Sequence, residues 1–160
     1  MKRFILSFAL ILIGICASAQ KMVTTDVVKS LNFGAQKLCV LRSDTTEAYS
    51  IQIKMAYSSS DFVIGLGNKQ KAIHLLSWLY NAKKPSSGDA YVDLENDTHN
   101  FAKIGKSTIT FFDDLKVRKA QFGKTYIKTF LKALGVDTDG NPLPEADQSE
   151  DEESKKSWEE

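Results

Sequence analysis

The alternation of apolar and polar positions divides the chain into short extended segments and two longer helical ones. In Tyr49 to Tyr57 (YSIQIKMAY), Ile51, Ile53 and Met55 alternate with Ser50, Gln52 and Lys54, the period-two signature of a strand with one buried face. Lys37 to Arg42 (KLCVLR) and Asp61 to Leu66 (DFVIGL) read as strands before and after it, the latter ending at Gly67. Asn68 is placed to cap a helix running to about Ala82, because Ala72, Leu75, Leu76 and Leu79 fall along one face. Lys83 to Gly88 (KKPSSG) has the composition of a turn or loop.

The second half follows a similar plan. Tyr91 to Glu95, Phe101 to Phe112 and Lys116 to Phe122 read as strands, and a helix spans Lys124 to Leu134. Its apolar stripe is Tyr126, Ile127, Phe130, Leu131 and Leu134; Lys124, Lys128 and Lys132 lie opposite, and Gly135 is suited to end it. Three strands, a glycine and a helix thus occur twice, with Gly67 and Gly123 56 positions apart. Identity between the halves is slight. The expectation is a two-layer α+β fold: a continuous, mainly antiparallel sheet with two helices on one face, as a (βββα)×2 pseudo-repeat would generate. The stretch from Gln20 to Ala35 admits two readings. Asp26 to Phe33 fits a short helix between Thr25 as cap and Gly34 as stop, and Met22 to Val28 also fits a strand.

The two ends depart from this pattern. Lys2 and Arg3 precede twelve nearly unbroken apolar residues, Phe4 to Ile15, and Ala17-Ser18-Ala19 follows with small residues. This is the layout of a cleaved export signal over residues 1–19, with a mature chain beginning at Gln20 or Lys21. The apolar run is shorter than the roughly 20 residues a membrane span needs. Ile15 before Cys16 disfavours a lipid anchor, since Gly, Ala or Ser normally precedes a lipidated cysteine. At the other end, residues 136–160 hold two of the three prolines and ten carboxylates against Lys155 and Lys156. Such composition reads as a disordered acidic tail, leaving 20–135 as a single globular domain. Trp158 stands there as an isolated aromatic.

Charge sharpens this division. Residues 20–135 carry 17 Lys or Arg against 10 Asp or Glu, so a formal charge of +1 over the chain hides a basic body beside an acidic tail. Without the signal, Cys39 is the one cysteine left, which excludes an intrachain disulfide scaffold.

Few residues carry recognisable chemistry. Gly105-Lys106-Ser107 has the ending of a phosphate-binding loop, but Asn100 stands where its first glycine belongs, and STITFF after it is strand-like. A hairpin turn at Gly105-Lys106 is expected instead. Asp93, Glu95, Asp97 and His99 occupy alternate positions and would share one face of an extended strand, where Asp93, Glu95 and His99 could hold a divalent cation. Against this, Asn96-Asp97 has turn character. Asp137-Thr138-Asp139-Gly140-Asn141 opens like a calcium loop, but Gly135 and Ala146 fall where its first and last ligands belong. Cys39 with His74 or His99 would make a thiol pair, although the strand pattern around Cys39 favours a buried, inert thiol. Asn96-Asp97-Thr98 is an N-glycosylation sequon in form.

The lysines of the second helix, with Lys116, Arg118 and Lys119, form the candidate partner-binding set: Lys116, Arg118, Lys119, Lys124, Lys128 and Lys132. Nucleic acid is not expected, because the aromatic residues of that helix lie opposite its lysines and the chain is exported. The sequence therefore points to a non-catalytic binding protein of the bacterial envelope or exterior, acting on a protein or anionic ligand through the sheet face the helices leave open. No cofactor and no stable membrane insertion are implied. The alternative is a small secreted hydrolase or metal-dependent enzyme using the Asp93/Glu95/His99 region.

Overall fold

The computed structural model describes residues 23–55, 60–85, 91–117 and 119–144. The expected export signal and the acidic segment from 145 onward lie outside the described residues, as does Arg118. Eight antiparallel strands and two helices make an α+β fold. Strands β1 (Thr24–Leu31), β2 (Gln36–Arg42), β3 (Glu47–Ile53) and β4 (Phe62–Gly67) form one meander, followed by α1 (Lys69–Asn81). A second meander comprises β5 (Val92–Asp93), β6 (Phe101–Ile104), β7 (Thr108–Phe112) and β8 (Lys119–Gly123), followed by α2 (Lys124–Ala133).

Local chemistry accounts for the junctions. The β3–β4 register slips between Tyr49 and Ser50, leaving Leu66 as an extra residue, and Gly67 takes a φ of 73°. This bulge turns the chain into α1, whose first turn is capped by the Asn68 side chain accepting from Lys71 N–H at 3.0 Å. The expected turn at Gly105-Lys106 joins β6 to β7, with Gly105 N–H donating to Thr108 O at 2.8 Å. The ambiguous segment is strand β1 and not a helix. A register shift between Val27 and Lys29 disturbs its alternation, which explains why its pattern was indistinct.

Each sheet is apolar on one face. Leu38, Val40, Ile51, Ile53, Phe62 and Ile64 project from the first sheet, and Ala102, Ile104, Ile109, Phe111, Ala120 and Phe122 from the second, into one hydrophobic cluster with both helices. Phe122 lies at its aromatic centre, with ring centroids 6.2 Å from Phe111, 5.5 Å from Tyr126 and 5.6 Å from Phe130. Helix α1 packs on β3 and β4, whereas α2 packs on β8, on α1 and also on β1 of the first sheet. The Tyr126 hydroxyl accepts from Asn32 Nδ2 at 2.9 Å, tying α2 to the β1–β2 turn.

The expected continuous sheet is instead two sheets, and the reason lies at the open edge of β4. Among the described residues no strand pairs with that edge. The segment between β5 and β6 meets it with side chains: Gly65 N–H donates to Thr98 Oγ1 at 2.9 Å, and Gly65 O accepts from Asn96 Nδ2 at 2.8 Å. Asn100, buried behind this clasp, accepts from both Asn96 Nδ2 and Thr98 Oγ1 and donates to Phe112 O. A side chain at position 65 would meet Thr98 at 3.3 Å, so glycine permits the close approach.

The packed body also runs past Gly135. Val136 is buried and bridges to Pro142, and Leu143 N–H donates to Gly135 O. The Asp137 carboxylate accepts from the N–H groups of Asp139 and Asn141, which closes the turn between them. Asn81 of α1 reaches over to Thr138 O and Asp139 Oδ1. Gly140, at φ 88°, sits against Ile73 and Ser77.

Two measurements test these joints. Asn96→Ala leaves Gly65 O and Asn100 without their amide partner and should cost about 1–3 kcal/mol in urea denaturation, whereas exposed Asp97→Ala should stay within about 0.5 kcal/mol. Hydrogen bonds from Asn141, foremost its backbone N–H, hold the Asp137 carboxyl below the ordinary aspartate range. A depressed carboxyl stabilises the fold above its unfolded pKa, and that contribution is lost as the pH falls through its folded pKa. Asp137→Asn should therefore lower the neutral-pH melting temperature and flatten its decline on acidification.

Candidate binding face

The described members of the cationic set are carried by three elements: α2, β8 and the turn before it. Lys124 opens α2, where an ammonium opposes the helix dipole. Its side chain, however, donates to Ala82 O at the C-terminal end of α1, where positive charge is favourable. Partial burial holds its pKa below the usual lysine value. Lys124 is thus a fastening between the helices. Lys128 and Lys132 lie further along α2, beside Tyr80 and the 136–138 segment. Lys119 begins β8 at the opposite end of that strand from α2, and Lys116 belongs to the β7–β8 turn.

Strand register gathers a different set. Phe111 faces the core, so Phe112 points outward, level with its cross-strand partners Phe101 and Lys119. Tyr91, just before β5, packs edge-on against Phe112 at 5.0 Å between centroids. Lys103 Nζ stands 4.6 Å from the Tyr91 centroid, and Lys116 Nζ stands 5.0 Å from Tyr91 and 4.3 Å from Phe101. These distances fall within the cation–π range. Three rings and two ammonium groups therefore interlock on the face of the second sheet turned away from the helices.

The turn that supplies Lys116 is built to present it. Asp113 O accepts from Lys116 N–H and Asp113 Oδ1 from Val117 N–H, closing a tight loop with Lys116 at φ 58°. A non-glycine residue in that conformation costs roughly 1–2 kcal/mol. Its neighbours Leu115 and Val117 are 76 % and 77 % exposed, adding apolar surface to the rim of the face.

The acidic candidates resolve differently. Strand β5 ends at Asp93, whose Oδ1 accepts from Glu95 N–H at 2.8 Å. Glu95 and His99 both take positive φ, 49° and 48°, and His99 N–H closes a turn onto Asn96 O. The extended alternation on which a shared face depended is therefore absent. Among the described residues no three His, Cys, Asp or Glu side chains come together as a cation site. Asp93, Glu95 and His99 belong to the turns that flank the Asn96–Thr98 clasp. Cys39 is buried between its cross-strand partners Val27 and Ser50, and burial pushes its thiol pKa up, which disfavours the nucleophilic thiolate.

Comparison of the chain with known protein families, with curated proteins and with solved structures finds no match. Among the described residues no helix is long and apolar enough to cross a membrane.

The sequence grouped cations by their proximity along the chain. It missed Tyr91, Phe101, Lys103 and Phe112, whose signal is the outward parity of strand positions opposite the core residues Ala102 and Phe111. The role of Lys124 is open to measurement. Lys124→Met should destabilise the chain by about 1–2 kcal/mol through loss of a charged hydrogen bond, while Lys128→Met should shift it by less than about 0.5 kcal/mol.

Proposed function

We propose that this chain is an exported, non-catalytic binding protein of the bacterial envelope or exterior, and that it engages an anionic partner through the outer face of its second sheet. The observation that carries the reading is the interlocked set of Tyr91, Phe101, Phe112, Lys103 and Lys116. Aromatic planes offer flat apolar contact, and ammonium groups held over them supply positive charge at fixed positions. In such an arrangement an incoming anion meets lysines that are already ordered, which lowers the entropy cost of binding.

The export part rests on the sequence of residues 1–19 and on the limit of one cysteine in the mature chain. N-terminal sequencing of protein recovered outside the cytoplasm should begin at Gln20 or Lys21.

The binding part is tested on a heparin matrix as a polyanion probe. The protein should be retained at low salt and eluted as ionic strength rises. Lys103→Ala with Lys116→Ala should move elution to lower salt; Lys128→Ala with Lys132→Ala should not. The opposite ranking would transfer the function to α2 and overturn this reading. Preference for single-stranded nucleic acid over heparin would overturn its exterior setting.

A further inference from the structure

A cleft lies away from the aromatic face, between the first turns of α1 and the turn after β5. It has a volume of about 560 Å³, within the range of small-molecule sites. Leu66, Leu75 and Leu94 supply apolar lining, and two of them, Leu66 and Leu94, are themselves buried. Lys71 and His74 line it from α1; Glu95 and Asp97 line it from the turn.

The charges are arranged unusually. These four ionisable side chains are exposed and border one cleft, yet among the described residues none of them forms an ion pair. Lys71 and His74 stand on one wall and the two carboxylates on the other, across an apolar floor. Both walls are held in place by the backbone. Lys71 follows the Asn68 cap, and its stem lies against Gly67, where an added Cβ would come within 3.0 Å of Lys71 Cδ. Glu95 is held at positive φ by the Asp93 side chain, and Asp97 sits between clasp residues Asn96 and Thr98. The cap and the clasp thus fix the backbone that carries each wall.

We propose that this cleft binds a short zwitterionic peptide with apolar side chains. Its terminal carboxylate would be taken by Lys71 and His74, beside the positive end of the α1 dipole. Its terminal ammonium would be taken by Glu95 and Asp97, and its side chains would cover the leucines. A ligand with charge of one sign would satisfy one wall and be repelled by the other. A zwitterion satisfies both. This inference is independent of the anionic partner at the second sheet.

The experiment is calorimetric titration of the purified chain with leucyl-leucine and with the same dipeptide N-acetylated or C-amidated. The free dipeptide should bind, and either cap should weaken it by about tenfold, as expected when one charged contact is lost. In Lys71→Met the amidation penalty should vanish while the acetylation penalty persists; in Asp97→Asn the pattern should reverse. Both residues are exposed, so unchanged melting temperatures should accompany these shifts, and heparin retention should be unaffected. Absence of binding at about 10 mM dipeptide, equal affinity for free and capped forms, or penalties that ignore the two substitutions would each overturn the proposal.

Discussion

Two sheets, each apolar on a single face, must be dried by only two helices, and the helix pair is what makes this feasible. A single helix cannot cover a four-stranded sheet, so α1 and α2 lie against each other and share the task. Helix α2 belongs to the second half of the chain but also packs on β1, and Tyr126 bonds to Asn32 in the first hairpin. Phe122, Phe130 and Phe111 then fill the space where the two halves meet. The Lys124 contact with Ala82 follows from this arrangement, since it joins the start of one helix to the end of the other. The halves are thus mutually dependent layers.

Much of this was legible in the chain. Strands β2 to β4, β7 and both helices follow from strict apolar periodicity, because each buries one face against a single core. What escaped reading was set by contacts remote in sequence. The break between the sheets depends on Asn96 and Thr98 bonding to the backbone of Gly65, and nothing near Gly65 announces that. β5 is only two residues long because the Glu95 backbone turns left-handed immediately afterwards. Residues 136–144 looked like the start of a solvated tail by composition, yet Asp137, Gly140 and Asn141 are the residues that close a turn against α1.

The same distinction governs the surfaces. Lysines spaced along α2 suggest one basic stripe, but Lys124 leaves it to bond Ala82 O at the end of α1. The aromatic–lysine face is assembled from the residue before β5, from β6 and β7, and from the turn beyond, so its members are scattered over some twenty-five positions. The alternating acids at 93–99 had regular spacing without the extended backbone that would make the spacing meaningful. Of these, Glu95 and Asp97 border a cleft, because the turn carries them toward α1.

The Asn96–Gly65 contact bears on the order in which the chain can assemble. Both sheets are meanders, so every strand pairs with its neighbour in sequence, a topology that favours rapid local zipping. The clasp, by contrast, spans 31 positions and cannot form until the second meander has begun to turn. A chain emerging N-terminus first would present β4 with a bare edge for that interval, the kind of edge that recruits other chains. The sequon at Asn96 sharpens the point. A sugar placed on that nitrogen would leave it a single N–H where the clasp uses two, to Gly65 O and to Asn100 Oδ1, so carbohydrate at this position and the complete clasp exclude one another.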